Sequence, residues 1–349
     1  MGIRENENST INYKLIDLLK FICAFLVIGI HTRPFQANCE LLDMLFYYDI
    51  SNYAVPFFYA CTGYFIVIKS TKENIHILLL NHCKKILKMY LKWSAIYLPL
   101  TLSGWIIEGG MSYKYLIYSL RNFIFIGENF YSWTLWYLNG LIFALIFIDV
   151  LLRKFSIKKI ATIGLFVYLF GIGLTLLNSY SSYLPIIISK PIKLYFSIFV
   201  TTRNGLFKSL PFISVGMVVA EKNCIDKIEL SKKNCLLIAF IYLAKVGFSL
   251  MGGGAQYISE ILDLPIFYFM FELIICACKK MNLKGEFYKQ LRDISEIIYL
   301  VHMYFVALCA LVLYNNDYHN FKSYVICVFG AAIIACLFQM KKYENWDHN

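Results

Sequence analysis

The stretch KFICAFLVIGIHTRPF (residues 20–35) is an apolar run bounded by Lys20 at one end and by His31 and Arg33 at the other. With the apolar residues from Leu15 onward, it is long enough to cross a hydrocarbon core of about 30 Å as a helix. Runs of equal strength follow along the chain, so the first run predicts a membrane span and not a cleaved signal peptide. Because proline disfavours helical geometry at the residue before it, we expect this helix to end near Arg33.

The composition predicts an all-helical integral membrane protein. Of the 349 residues, 59% are hydrophobic and 16% are charged, whereas soluble domains average about 25% charged residues. Strand-like alternation over segments of about ten residues, which is typical of membrane barrels, is missing from the sequence. We therefore predict a bundle of about ten transmembrane helices. The predicted spans are residues 15–31, 53–68, 86–107, 133–152, 160–177, 206–220, 234–251, 259–278, 293–313 and 323–340.

The net charge of +11 follows the predicted topology. Basic pairs such as Lys84 with Lys85 and Lys158 with Lys159 fall in alternate loops, and such loops face the cytoplasm in most membrane proteins. This pattern predicts cytoplasmic N- and C-termini in a multi-pass protein of the plasma membrane, with the lipid bilayer as its first partner. It argues against binding to nucleic acid, and it does not predict an oligomeric state.

The chain reads as one membrane domain. We expect a polar cytoplasmic lead over residues 1–13, a transmembrane domain over 14–340 and a cytoplasmic tail over 341–349. The eleven cysteines are scattered through the predicted spans without the paired spacing of a zinc site, so neither a metal nor a disulfide framework is expected. Any activity is therefore expected from the membrane helices and their loops.

Three ionisable residues of the first span share one helix face. Such groups cost about 2.5–3.5 kcal/mol each to insert, so by default they mark functional positions. Lys20 and His31 are about three turns and about 16 Å apart, and Asp17 lies one turn before Lys20 on the same side. The stripe predicts a cavity with Lys20 and His31 at opposite ends. The alternative is an ion pair between Asp17 and Lys20 at the membrane edge, with His31 capping the helix.

Other ionisable candidates also lie within predicted spans. His302 falls near mid-membrane, where a lone histidine is more often a hydrogen-bonded packing residue than a catalyst. Glu272 is also mid-span, with no partner visible in the sequence. Lys88 and Lys245 are long enough to reach the interface, and we expect both to snorkel there.

Two predicted outer segments, residues 108–132 and 178–205, are rich in tyrosine and other aromatic residues. An aromatic belt at the membrane interface explains such a composition. The alternative is that some of these rings line an outward cleft for a sugar or another polar substrate.

These motifs, in this order, resemble the integral-membrane acyltransferase family 3. The first-helix signature of that family is a basic residue, ten residues and a histidine, and here it reads Lys20, FICAFLVIGI, His31, preceded by the acidic Asp17. Family members usually carry arginine at the first position, so Lys20 lacks the planar fork of a guanidinium. The further similar stretches are VPFFYACTGYFI (55–66), KKILKMY (84–90), WTLWYLNGLI (133–142) and YLVHMYF (299–305). Residues 202–220 are similar to the branch that contains the membrane domain of vancomycin-resistance serine racemases.

The resemblance implies a membrane-bound O-acyltransferase. Such an enzyme moves an acyl group, usually acetyl from cytoplasmic acetyl-CoA, to a hydroxyl of a saccharide-type acceptor in the cell envelope. The implied catalytic set is His31, as the general base, with Asp17 and Lys20. The residues implied for acetyl-CoA are Lys20, Lys84, Lys85 and Lys88, and those for the acceptor are Arg203, Trp136, Tyr64, Glu272 and His302.

Two other functions remain open on the sequence. The same charged stripe would serve a transport domain for serine or a related small molecule, without chemistry of its own. A structural or partner-binding membrane protein is the third interpretation. No metal is implied by any of the three.

Overall fold

The computed structural model describes residues 12–70, 73–108, 112–203, 205–225 and 232–347, and within these ranges the chain is helical with no strand. The all-α class is thus confirmed. The helices are α1 (Lys14–Thr32), α2 (Glu40–Met44), α3 (Ala54–Ser70), α4 (Ile75–Ile96), α5 (Leu98–Glu108), α6 (Tyr113–Arg121), α7 (Leu135–Leu152), α8 (Ile157–Ser179), α9 (Ile186–Phe199), α10 (Leu210–Ile225), α11 (Lys232–Met251), α12 (Ala255–Lys280), α13 (Phe287–Leu308) and α14 (Phe321–Asp347).

Among the described residues, six helices are long and apolar enough to cross a membrane: α1, α7, α8, α12, α13 with its extension to Leu313, and α14 as far as Met340. Large apolar side chains such as Phe166 and Phe170 of α8 are exposed, as expected for a surface that faces lipid. The count of about ten spans and the orientation of the termini remain predictions.

The predicted span 86–107 is two helices in the structure. The first, α4, begins at Ile75, because the side chain of Asn74 caps it by accepting a hydrogen bond from the backbone N–H of His76 at 2.9 Å. The break falls at Tyr97, two residues before Pro99, which occupies the first turn of α5. The helix thus starts eleven residues before the predicted span, and the added segment, IHILLLNHCKK (75–85), mixes apolar with polar and basic side chains.

Helix α3 packs against α10 at backbone contact distance. A Cβ added at Gly216 would lie 1.9 Å from the carbonyl oxygen of Ala60, and one added at Gly63 would lie 2.0 Å from that of Ile213. Small residues that allow such an approach are typical of helix pairs in membranes. Helix α1 lies against α3, α12, α13 and α14, so the stripe predicted on α1 is inside the bundle.

Four π-helical segments interrupt the described helices, at Leu45–Ile50, Asn122–Ile126, Gly205–Ser209 and Cys309–Leu313. Single π turns are frequent at functional sites, because they rotate side chains out of the regular helical register. The first three of these segments contribute residues to the cavity that contains His31.

Candidate functional site

Two cavities lie at opposite ends of α1. The first, here the lysine cavity, has a volume of about 800 Å³, and its ionisable lining residues are Tyr13, Asp17, Lys20, Lys69, His82, Lys85, Arg292, Asp293, Glu296, Cys61, Tyr137 and Tyr299. The second, here the histidine cavity, has a volume of about 480 Å³ and contains His31, Trp133, Trp136, Glu128, Arg203, Lys208, Glu260 and Asp263. Both volumes fall within the range of about 300–1,000 Å³ that is typical of small-molecule sites.

The stripe on α1 serves both cavities. Asp17 and Lys20 line the lysine cavity, and His31 lines the histidine cavity. The ion pairs of the described residues do not include one between Asp17 and Lys20, so the alternative interpretation of the stripe is not what the structure shows. The Nζ atom of Lys20 instead lies 5.5 Å from the centroid of the Phe65 ring.

His302 lies directly beside His31. The two imidazole centroids are 5.4 Å apart, and His31 is also 6.0 Å from the indole of Trp133. His302 is fully buried, whereas His31 is half-buried and faces its cavity. The packing of α1 against α13 brings the two histidines together.

The hydrogen bond of His302 fixes the protonation of its ring. Its Nδ1 lies 3.2 Å from the carbonyl oxygen of Ile298, and a carbonyl can only accept, so Nδ1 carries the proton. In the neutral ring Nε2 is then an acceptor, and this atom is buried without a partner. Nε2 of the neutral His302 ring can therefore accept a hydrogen bond, and the ring of His31 is one of its neighbours.

Four residues of opposite charge in the histidine cavity do not pair with one another. Arg203 and Lys208 line it together with Glu128 and Glu260, and none of the ion pairs found in the described part of the chain joins these four. Glu128 lies in the loop before α7, where burial raises the pKa of its carboxyl group, an effect that Arg203 partly offsets. Arg203 and Trp136 thus lie in one cavity with His31.

Lys245 does not snorkel; the prediction from sequence was wrong. The residue is 1% exposed, and its ammonium donates to the Asp49 carboxylate, to the carbonyl oxygen of Tyr48 at 3.0 Å and to Asp263 at 3.3 Å. Tyr53 also donates to Asp263, at 2.9 Å. Two carboxylates thus pair with this ammonium inside the protein, and the side chain does not reach the interface.

The lysine cavity contains part of the predicted lysine set. Lys20 and Lys85 both line it, and Lys69 adds a further ammonium group. Lys84 and Lys88 are exposed and lie outside the lining.

Tyr64 and Glu272 lie outside both cavity linings. The Tyr64 hydroxyl is buried and accepts a hydrogen bond from the side-chain amide of Asn223 at 3.0 Å. Glu272 is 4% exposed and accepts hydrogen bonds from Lys222 Nζ at 2.7 Å and Tyr268 Oη at 2.6 Å. These contacts connect helices of the bundle, so the structure does not bring either residue to the acceptor site.

Sequence reasoning missed the acidic side of the histidine cavity. Glu260 and Asp263 lie one turn apart on α12, and Lys208 lies in the π-helical segment before α10. A pair of carboxylates one turn apart within an apolar helix is a signal that the sequence does contain. Glu128 gives no such signal, because it lies in a loop.

The described helices and their two polar cavities define a helical membrane protein with a buried histidine pair. Residues 13–340 match the sequence model of acyltransferase family 3, described as an acyltransferase domain, and the chain belongs to that family. The resemblance seen in the motifs is therefore confirmed. No solved structure is a significant match to the chain.

Three curated relatives are racemases by name. The chain is 28% identical to a serine/alanine racemase of Enterococcus gallinarum over 96% of its own length and 47% of the relative. It is 26% and 23% identical to two amino-acid racemases of Enterococcus faecalis, covering 44% and 47% of them. The chain thus spans about half the length of the curated relatives that it matches.

Proposed function

We propose that the protein is a membrane-bound O-acyltransferase that moves an acyl group, acetyl in the first instance, from acetyl-CoA to a hydroxyl of a saccharide-type acceptor of the cell envelope. One observation carries the proposal: a cavity lined by four Lys and Arg side chains and three carboxylates, and a histidine-containing cavity, lie at opposite ends of α1 and meet at Tyr299. This arrangement supports a donor that enters from one end and an acceptor that enters from the other.

The lysine cavity fits the charged part of the donor. Coenzyme A carries phosphate groups, and Lys20, Lys69, Lys85 and Arg292 provide cationic donors around one cavity. These ammonium and guanidinium groups would hold the phosphates. The uncharged pantetheine arm, with its thioester, would extend toward Tyr299. With the predicted orientation, this cavity opens to the cytoplasm, where acetyl-CoA is present.

The chemistry is proposed for the histidine cavity. His31 would take the proton of the acceptor hydroxyl as its oxygen attacks the thioester carbonyl; the C–S bond then breaks and the thiolate of coenzyme A leaves, taking up a proton. Arg203 and Lys208 would stabilise the negative charge that develops on the carbonyl oxygen. Lys20 is about 16 Å from His31 along α1, so we assign Asp17 and Lys20 to donor binding and not to proton transfer.

The test is a calorimetric titration of the purified protein with acetyl-CoA. We expect binding, and we expect Lys85→Ala to weaken it by about threefold to tenfold, since a charge-assisted contact to phosphate is worth about 0.7–1.4 kcal/mol at an exposed position. Lys84→Ala is the matched control, because Lys84 is exposed on the same helix outside the cavity lining. Absence of acetyl-CoA binding, or equal effects of the two variants, would contradict the donor site.

The second candidate function is passage of a zwitterionic amino acid such as serine, without catalysis. The unpaired opposite charges of the histidine cavity favour it, because Arg203 and Lys208 would pair with a carboxylate and Glu128 and Glu260 with an ammonium group. The names of the curated relatives agree with an amino-acid ligand. This function predicts that proteoliposomes containing the protein take up labelled serine in the absence of acetyl-CoA. Acyl transfer does not require any uptake of serine.

A further inference from the structure

Three aromatic rings lie at the level where the two cavities meet. Within the described part of the chain, Tyr299 is the residue that the two linings share. Its ring centroid is 5.7 Å from that of Phe58 and 5.5 Å from that of Tyr137, which are 6.0 Å from each other. The three rings come from α13, α3 and α7, and together they are here named the aromatic layer.

The aromatic layer coincides with the boundary between the cavities. Along α3, Val55 and Pro56 line the histidine cavity, whereas Phe58 and Thr62 line the lysine cavity. Along α7, the change falls between Trp136 and Tyr137. Neighbouring positions of two helices therefore face different cavities on either side of the same layer.

Tyr299 has the contacts of a side chain that can turn aside. Its hydroxyl donates one hydrogen bond, to the carbonyl oxygen of Thr134 at 3.0 Å, and such a bond contributes only about 0.5–1.5 kcal/mol net. On its other side the ring lies 6.1 Å from His302, which is 5.4 Å from His31. Movement of this one ring would join the lysine cavity to the histidine pair.

We propose that Tyr299 is the movable partition between the two cavities and the positioning residue past which the thioester arm of the donor reaches His31. With its hydroxyl on Thr134, the ring closes the layer. This closure prevents the two cavities from forming one open polar passage across the membrane. With the ring turned aside, an uncharged, thin arm passes while the phosphates stay with the lysines. The passage of the arm rests on the proposed function; the partition does not.

Substitutions at Tyr299 separate the ring from its hydroxyl. Tyr299→Ala removes the ring and is expected to join the cavities, and Tyr299→Val is a second opening variant that retains an apolar side chain. Tyr299→Phe retains the ring and is expected to remain closed. Tyr304→Ala is the matched control: Tyr304 lies on the same helix, its hydroxyl also donates to a backbone carbonyl, that of Ile96, and it lines neither cavity.

The experiment is sided thiol labelling with a small charged methanethiosulfonate that does not cross membranes, read by peptide mass spectrometry. The reporter is Thr62→Cys, because Thr62 is half-buried and lines the lysine cavity. Two native cysteines identify the faces: Cys39 follows the His31 end of α1, and Cys83 lies on α4 between residues that line the lysine cavity. Vesicles are prepared in two orientations, so that the reagent outside reaches either the Cys39 face or the Cys83 face of the protein.

With the native tyrosine, the reporter is expected to react from the Cys83 face and not from the Cys39 face. Tyr299→Ala and Tyr299→Val are expected to add reaction from the Cys39 face, whereas Tyr299→Phe and Tyr304→Ala leave the native pattern. The proposal is overturned if the opening variants, eluting as monodisperse protein, gain no labelling from the Cys39 face. It is equally overturned if the native protein already labels from both faces. If labelling follows the expected pattern but acetyl-CoA does not bind, the partition by Tyr299 is supported and the proposed acyltransferase function is contradicted.

Discussion

Gly216→Ala is expected to separate α3 from α10 and to disturb both cavities. The added Cβ would lie 1.9 Å from the carbonyl oxygen of Ala60, whereas real Cβ contacts are essentially never below 3.0 Å, so the helices must move apart by at least 3.0 − 1.9 = 1.1 Å. Both groups belong to helix backbones, so no side-chain rotation relieves the contact. Helix α3 supplies lining residues to both cavities, among them Pro56 and Thr62.

The cost follows from overpacking. Extra groups forced into a packed core cost about 1–3 kcal/mol, and a gap of about 1 Å along the rest of an interface loses a quarter to a half of each dispersion contact. We therefore expect the upper end, about 3 kcal/mol, which corresponds to a fall of about 6–12 °C in the melting temperature. The assay is thermal unfolding in detergent followed by intrinsic fluorescence.

Gly173→Ala is the matched control for this variant. Gly173 lies in α8, and an added Cβ there meets nothing within 4 Å, so the melting temperature should stay unchanged or rise slightly because alanine favours the helix. If the two variants shift the melting temperature equally, close packing of α3 on α10 is not what limits stability, and the reasoning fails.

Two further predictions concern the histidine cavity. His31→Ala is expected to lower acyl transfer by about 10²–10⁴-fold, the usual contribution of a general base, while the calorimetric affinity for acetyl-CoA stays unchanged because the donor binds in the other cavity; transfer at the native rate would refute the assignment. Burial raises the pKa of the Glu128 carboxyl above its ordinary value. Between the ordinary and the raised pKa, the folded protein therefore keeps the carboxyl proton that the unfolded chain has released. The stability of the folded protein falls as the pH rises through this range. Glu128→Gln removes this contribution, so its melting temperature is expected to fall less between the ordinary carboxyl pKa and neutral pH; parallel curves for the two proteins would contradict the sign.

Much of the fold class followed from local pattern. Apolar runs of span length predict helices because a backbone in lipid must satisfy its own hydrogen bonds, and the described chain is helical. Boundaries were less predictable: α4 begins at Ile75, eleven residues before the predicted span start at residue 86, because a cap at Asn74 and packing on α7 stabilise it. The prediction for Lys245 failed for a related reason, since its two carboxylate partners lie on other elements.

The sequence by itself determined that α1 presents Asp17, Lys20 and His31 toward one interior, with the lysine and the histidine at opposite ends, because the rise and period of a helix are local properties. Only the tertiary structure decided which residues join them. His302 comes to His31, and Lys85 comes to Lys20 without Lys84, because these contacts depend on how separate helices pack. Packing also set Tyr299 between the two cavities. Contacts between residues distant in the chain leave no periodic trace in the sequence, whereas a stripe on one helix does.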